Sequence, residues 1–147
     1  MRAISLWQPW ASAVILGHKR IETRHWSTPF TGRMAVHAAK RWTREERDDA
    51  EAFARQIDPR LATPPLGAIL GTVRLVRCEP SEAFSHISQI ERMLGNFAPG
   101  RFGWILDDVR AFAEPIPFKG AQGFFDVPDE LIARGFIPDS TKMGGQG

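Results

Sequence analysis

The chain has one cysteine, no tyrosine, and a single acidic residue among its first 44 positions. Cys78 alone cannot build an intramolecular disulfide or a cysteine-rich zinc site. No apolar run approaches the roughly 20 residues of a membrane span. The opening Met1-Arg-Ala-Ile-Ser-Leu-Trp7 lacks the apolar stretch of a secretory signal. The expectation is a soluble cytoplasmic protein with no membrane contact and no obligate protein partner. No two histidines stand at i, i+4 spacing, and the pairs Glu45-Glu46, Asp48-Asp49 and Asp107-Asp108 read as helix-surface and turn residues. Neither a Gly-x-x-x-x-Gly-Lys phosphate loop nor a Gly-x-Ser-x-Gly elbow is present. No metal and no cofactor are therefore expected.

What is abundant is basic charge at one end. Arg2, Lys19, Arg20, Arg24, Arg33, Lys40, Arg41 and Arg44 face only Glu22 within residues 1–44, a local charge of +7. The other 103 residues carry 11 basic and 16 acidic groups, a charge of −5. Such asymmetry points to an anionic partner, with phosphate the obvious candidate. Fifteen of the 19 basic residues are arginines, which suit bidentate phosphate contact and stacking on bases. The alternative is that the two parts fold against each other and neutralise.

At 147 residues and 43% apolar composition, the chain suffices for one core. Arg2–Leu6 reads as a strand. Pro9 fits the first turn of a helix through Leu16, and Gly17 offers the left-handed residue that ends it. Residues 20–26 alternate as a strand, 27–32 form a turn, and 33–38 form a compact buried strand. Thr43 followed by Glu46 is a capping box that opens an amphipathic helix to Ile57. Residues 59–65 read as a loop. Gly67–Cys78 is β-branched and glycine-punctuated, predicting one long bent strand. Residues 80–94 read as helical or irregular. Phe102–Leu106 and Val109–Pro115 read as two strands joined by a turn at Asp107-Asp108. A close backbone passage at Gly120–Gly123 precedes a last strand, and residues 128–134 suggest a short helix. The expected fold class is α+β, a small closed or nearly closed barrel of about five to seven strands decorated by short helices. One domain is expected over 1–138, followed by a flexible tail, 139–147.

The candidate site begins at Gly17-His-Lys19-Arg-Ile-Glu22-Thr-Arg24. On a strand, Glu22 and Arg24 share a face, and Lys19 can bend toward it. A lysine beside Arg24 and apolar walls has its pKa lowered, which lets it serve as a base with Glu22 as its carboxylate partner. The alternative is a plain ion-pair cluster. Thr23 alternates to the opposite face, as does His25. Trp7, Trp10 and Trp26 flank the charged site as candidate stacking surfaces, while Trp104 reads as core. His37 and Lys40 follow the buried strand. Lys119 and Gln122 lie in a glycine-rich passage able to approach a base edge.

The spacing Gly17-x-Lys19-x-x-Glu22-x-Arg24 resembles the signature of the ASCH domain family, relatives of the PUA RNA-binding fold. Trp7-Gln-Pro-Trp10-Ala, Gly32-Arg-Met-Ala-Val-His37-Ala, Arg101-Phe-Gly-Trp104 and Lys119-Gly-Ala-Gln122-Gly extend the resemblance over residues 4 to 125. It implies a PUA-like barrel and an activity drawn from a mixed set: RNA binding, coactivator appendages, RNA degradation, or amide hydrolysis of N4-acetylcytidine. The hydrolase branch uses a lysine, a threonine and a glutamate. Its lysine corresponds to Lys19, its threonine falls at Glu22 with Thr23 next door, and its glutamate comes from a later segment holding Glu79, Glu82 and Glu91. The leading expectation is hydrolysis of an N4-acylated cytidine by Lys19, Glu22 and Thr23, with Arg24 orienting the oxyanion. The alternatives are a non-catalytic RNA or single-stranded nucleic-acid module, and RNA cleavage by Lys19 with His37 or Lys40.

Overall fold

The computed structural model describes residues 1–138, so the expected tail lies outside the described residues. Six strands form one sheet: β1 (Arg2–Leu6), β2 (Ile21–Arg24), β3 (Gly32–Ala38), β4 (Ala68–Pro80), β5 (Phe102–Pro117) and β6 (Phe124–Asp126). Their order is β2-β5-β4-β3-β1-β6. All neighbours are antiparallel except β1 and β3, which run parallel because helix α1 (Trp10–Ile15) and β2 intervene between them.

Strands β1 and β3 are buried on both faces over most of their length, which suits the apolar runs Ala3-Ile4 and Met34-Ala35-Val36. Ile4 and Val36 point into the main core with Val14, Leu75, Trp104 and Leu106. Ala3 and Ala35 point the other way, toward Phe112 of β5 and Ile132 of helix α4 (Asp129–Gly135). Helix α2 (Arg44–Gln56) opens with the expected capping box, in which the Thr43 N–H donates to Glu46 Oε2 at 3.0 Å. Gly17 ends α1 at a φ of +86°, a conformation open to glycine at little cost. Gln8, fully buried, caps the start of α1 by accepting from the Ser12 N–H and donating to Pro65 O. A short helix α3 (Gln89–Leu94) interrupts the long path from β4 to β5. No helix of the described residues is long and apolar enough to cross a membrane.

Two expectations need correction. The pair Asp107-Asp108 does not turn the chain: β5 runs straight through it for 16 residues. Asp108 takes a φ of +48°, and the register with β4 shifts nearby. Arginines make this possible: Arg74 of β4 grips Asp107, while Arg33 of β3 and Arg110 of β5 itself grip Asp108. An acidic pair that reads as a turn in isolation thus becomes a clasped bulge.

The sheet also does not close into a barrel. Strands β2 and β6 are its edges and do not pair with each other. They hold four and three residues. Side chains bridge part of the gap instead. Trp26 packs edge-on against Trp104 and Phe124, with ring centres 4.7 and 5.6 Å apart. The Trp104 indole N–H donates to Trp26 O at 3.1 Å.

Candidate functional site

Where the sheet stays open, a cleft of about 1620 Å³ forms. One wall comes from β2 and the residues after it, the other from the segment leading into β6, and the floor from the ends of β1 and β3. Its lining includes Trp7, Trp10, Glu22, Thr23, Arg24, Trp26, His37, Lys40, Lys119 and Gln122. The structure therefore brings together every site residue expected from the sequence except Lys19, which lies just beneath the surface.

Lys19 is 1% exposed. Its ammonium donates to Ile21 O and Leu94 O, both at 2.8 Å, and lies 3.6 Å from Glu22 Oε1. Burial pulls its pKa below the ordinary lysine value, against the opposing attraction of Glu22 and Glu91. Glu22 accepts from Arg24 at 3.2 Å through its other oxygen, and from the Thr23 N–H at 3.1 Å. The Lys19–Glu22–Arg24 cluster expected from the spacing is thus assembled, with the carboxylate as its hub and with Glu22 and Arg24 both lining the cleft. The Arg24 guanidinium continues over Trp26, 5.5 Å from the ring centre, and its buried Nε has no hydrogen-bond partner.

Of the three later glutamates, one joins the cluster. Glu91 on α3 is buried and accepts from the Arg20 N–H at 2.5 Å, while its Oε2 lacks a partner. Burial raises its pKa, and Lys19 pulls it back. Glu79 pairs with Arg77 at the surface, and Glu82 is exposed.

Thr23, placed by alternation on the face opposite Glu22, lines the same cleft. Its hydroxyl accepts from the Asn96 N–H at 2.9 Å, which ties β2 to the loop after α3. His25, expected to face away, lines the cleft. Strand β2 ends at Arg24 and the chain bends there, so period-two alternation no longer governs the next residue. Arg101, not singled out from the sequence as a site residue, also lines the cleft and donates to Thr23 O and Asn96 O at 3.1 Å. The available signal was its place in the Arg-Phe-Gly-Trp motif.

His37 is 2% exposed and both ring nitrogens are occupied. Nε2 donates to Phe118 O at 2.7 Å, leaving Nδ1 to accept from the Ser5 hydroxyl at 2.9 Å. The ring sits against Gly120, where an added Cβ would fall 2.5 Å from Cε1. His37 therefore sets the position of the segment carrying Lys119 and Gln122. Burial holds its pKa below the ordinary 6.5, against the smaller upward pull of the Phe118 bond. The unfolded chain takes up this proton more readily than the folded one, so stability is complete above that value and declines as pH falls below it. Urea unfolding between pH 7 and 5 should show this decline, and His37→Gln should flatten it. An unchanged slope in the variant would assign the pH dependence elsewhere.

The basic N-terminal part is neutralised only in part. Arg33 pairs with Asp108, and Arg41 with Glu46. Lys40, Arg101 and Lys119 have no carboxylate partner among the described residues. Nor does any group of three histidine, cysteine or acidic side chains there come together as a metal site.

The ASCH domain model matches residues 4–116. The chain belongs to the ASCH domain family. Human Activating signal cointegrator 1 is 37% identical over 95 residues, covering 58% of this chain and 16% of that protein. The mouse protein of the same name matches to the same extent. This ASCH chain thus corresponds to a small part of the curated relatives it matches. The crystal structure of ASCH from Zymomonas mobilis superposes with a TM-score of 0.54 at 16% identity, covering 90% of this chain and 91% of that one. That likeness is one of fold, and it includes the mixed sheet that frames the cleft.

Proposed function

We propose that the cleft binds single-stranded nucleic acid, taking a base beside Glu22 and Arg24 and its phosphates along the cationic rim. The observation that carries this reading is the pairing of size with charge. The cleft's volume, about 1620 Å³, exceeds the roughly 300–1,000 Å³ of an ordinary small-molecule pocket. Its rim holds Lys40, Arg101 and Lys119 without acidic partners. Glu22 supplies an acceptor and Arg24 a donor to a base edge. Several groups that catalysis would require are otherwise engaged: the Lys19 ammonium on two carbonyls, and His37 at both nitrogens. The engagement of His37 and its lowered pKa count against its acting as the acid of an RNA-cleaving reaction.

Amide hydrolysis of an N4-acylated cytidine is the second reading, favoured by one observation: a buried lysine of lowered pKa beside a cleft-facing carboxylate. Glu22 would take a proton from water as it adds to the acyl carbonyl, and Lys19 would stabilise the changing charge. Arg24 would hold the oxyanion. Return of the proton to N4 would release cytidine and the free acid. Thr23 would take the nucleophile's place only by giving up its bond from Asn96.

One experiment separates the two. Wild-type protein is titrated with a ten-nucleotide single-stranded RNA at 50 and 200 mM salt, and incubated with N4-acetylcytidine followed by chromatography. Three phosphate contacts on a single strand should weaken binding about 20-fold over that salt range, from about 0.7 logarithmic units per contact, with the RNA left intact. Release of cytidine without RNA binding, abolished by Glu22→Gln, would install the hydrolase reading instead.

A further inference from the structure

Trp7 is an anomaly on this surface. It is 52% exposed while lining the cleft, whereas Trp10 is only partly exposed and Trp104 is fully buried. It is also not loose. The Arg41 guanidinium lies over the ring, 4.2 Å from its centre. Arg41 is itself fixed, because its Nε donates to Glu46, the buried carboxylate of the α2 capping box. Tryptophan, arginine and glutamate thus form a built stack rooted in a helix N-terminus. The guanidinium engages one face of the indole, and about half of the residue stays exposed at the cleft. With Nε committed to Glu46, the Nη groups of Arg41 remain for an anion, and 41% of that side chain is exposed. Lys40 adds a second cation beside it.

We propose that Trp7, backed by Arg41, is a second nucleotide subsite, on which the base next to the one in the cleft stacks while Arg41 and Lys40 take the intervening phosphate. This rests on reading the cleft as a single-stranded nucleic-acid site, and gives that site a direction. The strand runs from Glu22 and Arg24 past Lys40 to the start of α2. Indole stacking is tolerant of base identity, so this subsite contributes affinity for length and not for sequence. The ligand is unpaired, because a base already stacked within a duplex does not offer its face to an indole.

The test compares uridine 5′-monophosphate, a single-stranded decauridylate and a ten-base-pair duplex, by calorimetry for the nucleotide and fluorescence anisotropy for the others. Trp7→Ala should weaken decauridylate binding about 5- to 150-fold, the range set by one lost base–aromatic stack. It should leave the mononucleotide unchanged, with circular dichroism verifying the fold. Trp7→Phe should retain most of the affinity, and Arg41→Ala should lower the salt slope by about 0.7. If Trp7→Ala binds decauridylate like wild type while Arg24→Ala does not, the second subsite falls and the cleft reading stands. Equal losses for nucleotide and decamer would place Trp7 in the first subsite and overturn the proposal. Duplex binding as tight as single-strand binding would also overturn it. Failure of wild type to bind any of the three would end both readings.

Discussion

Replacing Lys19 with alanine should remove about 3–5 kcal/mol of folding stability, the usual cost of withdrawing one partner from a buried ion pair. The ammonium satisfies Ile21 O and Leu94 O and offsets the charges of Glu22 and Glu91. Its removal leaves the two carbonyls and Glu91 buried without it, while Glu22 keeps only Arg24 as a charge partner. Lys19→Met, which refills most of the volume, should be nearly as damaging if charge and hydrogen bonds are what matter. Adding Glu91→Gln to Lys19→Met should recover part of the loss, because one stranded carboxylate is then gone. Guanidinium unfolding measures all three, and a cost below about 1 kcal/mol, within the range of an exposed pair, would refute the structural role. Lost activity in a Lys19 variant is consequently weak evidence for catalysis. Glu22→Gln is the cleaner probe, since Glu22 faces the cleft.

The second large effect is expected at Trp104. It is fully buried, contacts both Trp26 and Phe124, and donates to Trp26 O. Trp104→Ala should cost about 3–5 kcal/mol, as truncations of large buried aromatics do. Trp104→Phe should cost less but still weaken oligonucleotide binding, because Trp26 loses the bond that fixes its backbone in the cleft wall. Unfolding curves and anisotropy titrations read the two effects separately. A stability change for Trp104→Ala below about 1 kcal/mol, the scale of a lone hydrogen bond, would mean that the aromatic seam does not hold the sheet's open side together.

The parts of this molecule legible in the sequence were those fixed by local chemistry. Gly17 stops a helix because its φ is positive, and Thr43 with Glu46 satisfies helix-end donors, wherever the chain goes next. The period-two placement of Glu22 and Arg24 likewise gave the hub of the site. What stayed hidden depended on partners distant in sequence. Asp107-Asp108 reads as a turn until Arg74 of β4 and Arg33 of β3 approach from elsewhere in the sheet. Glu91 cannot be distinguished from Glu79 or Glu82 until α3 folds over Lys19. Whether the sheet closes depends on how far it curls to bring β2 and β6 together, and no local residue pattern carries that.

The pairing of β1 with β6 has a consequence for how the chain acquires its form. Arg2 lies opposite Asp126, and the N-terminal amine bonds Val127 O at 2.8 Å. Strand β1 is therefore synthesised well before β6, the strand that covers its edge. Until Phe124 arrives, β1 presents an open row of backbone groups, and Trp104 lacks one of its ring neighbours. Closing so long a loop is entropically slow and exposes the nascent sheet to wrong partners. A chain truncated just before Phe124 would retain every charged residue of the cleft and still be a poor folder, prone to associate through that bare edge.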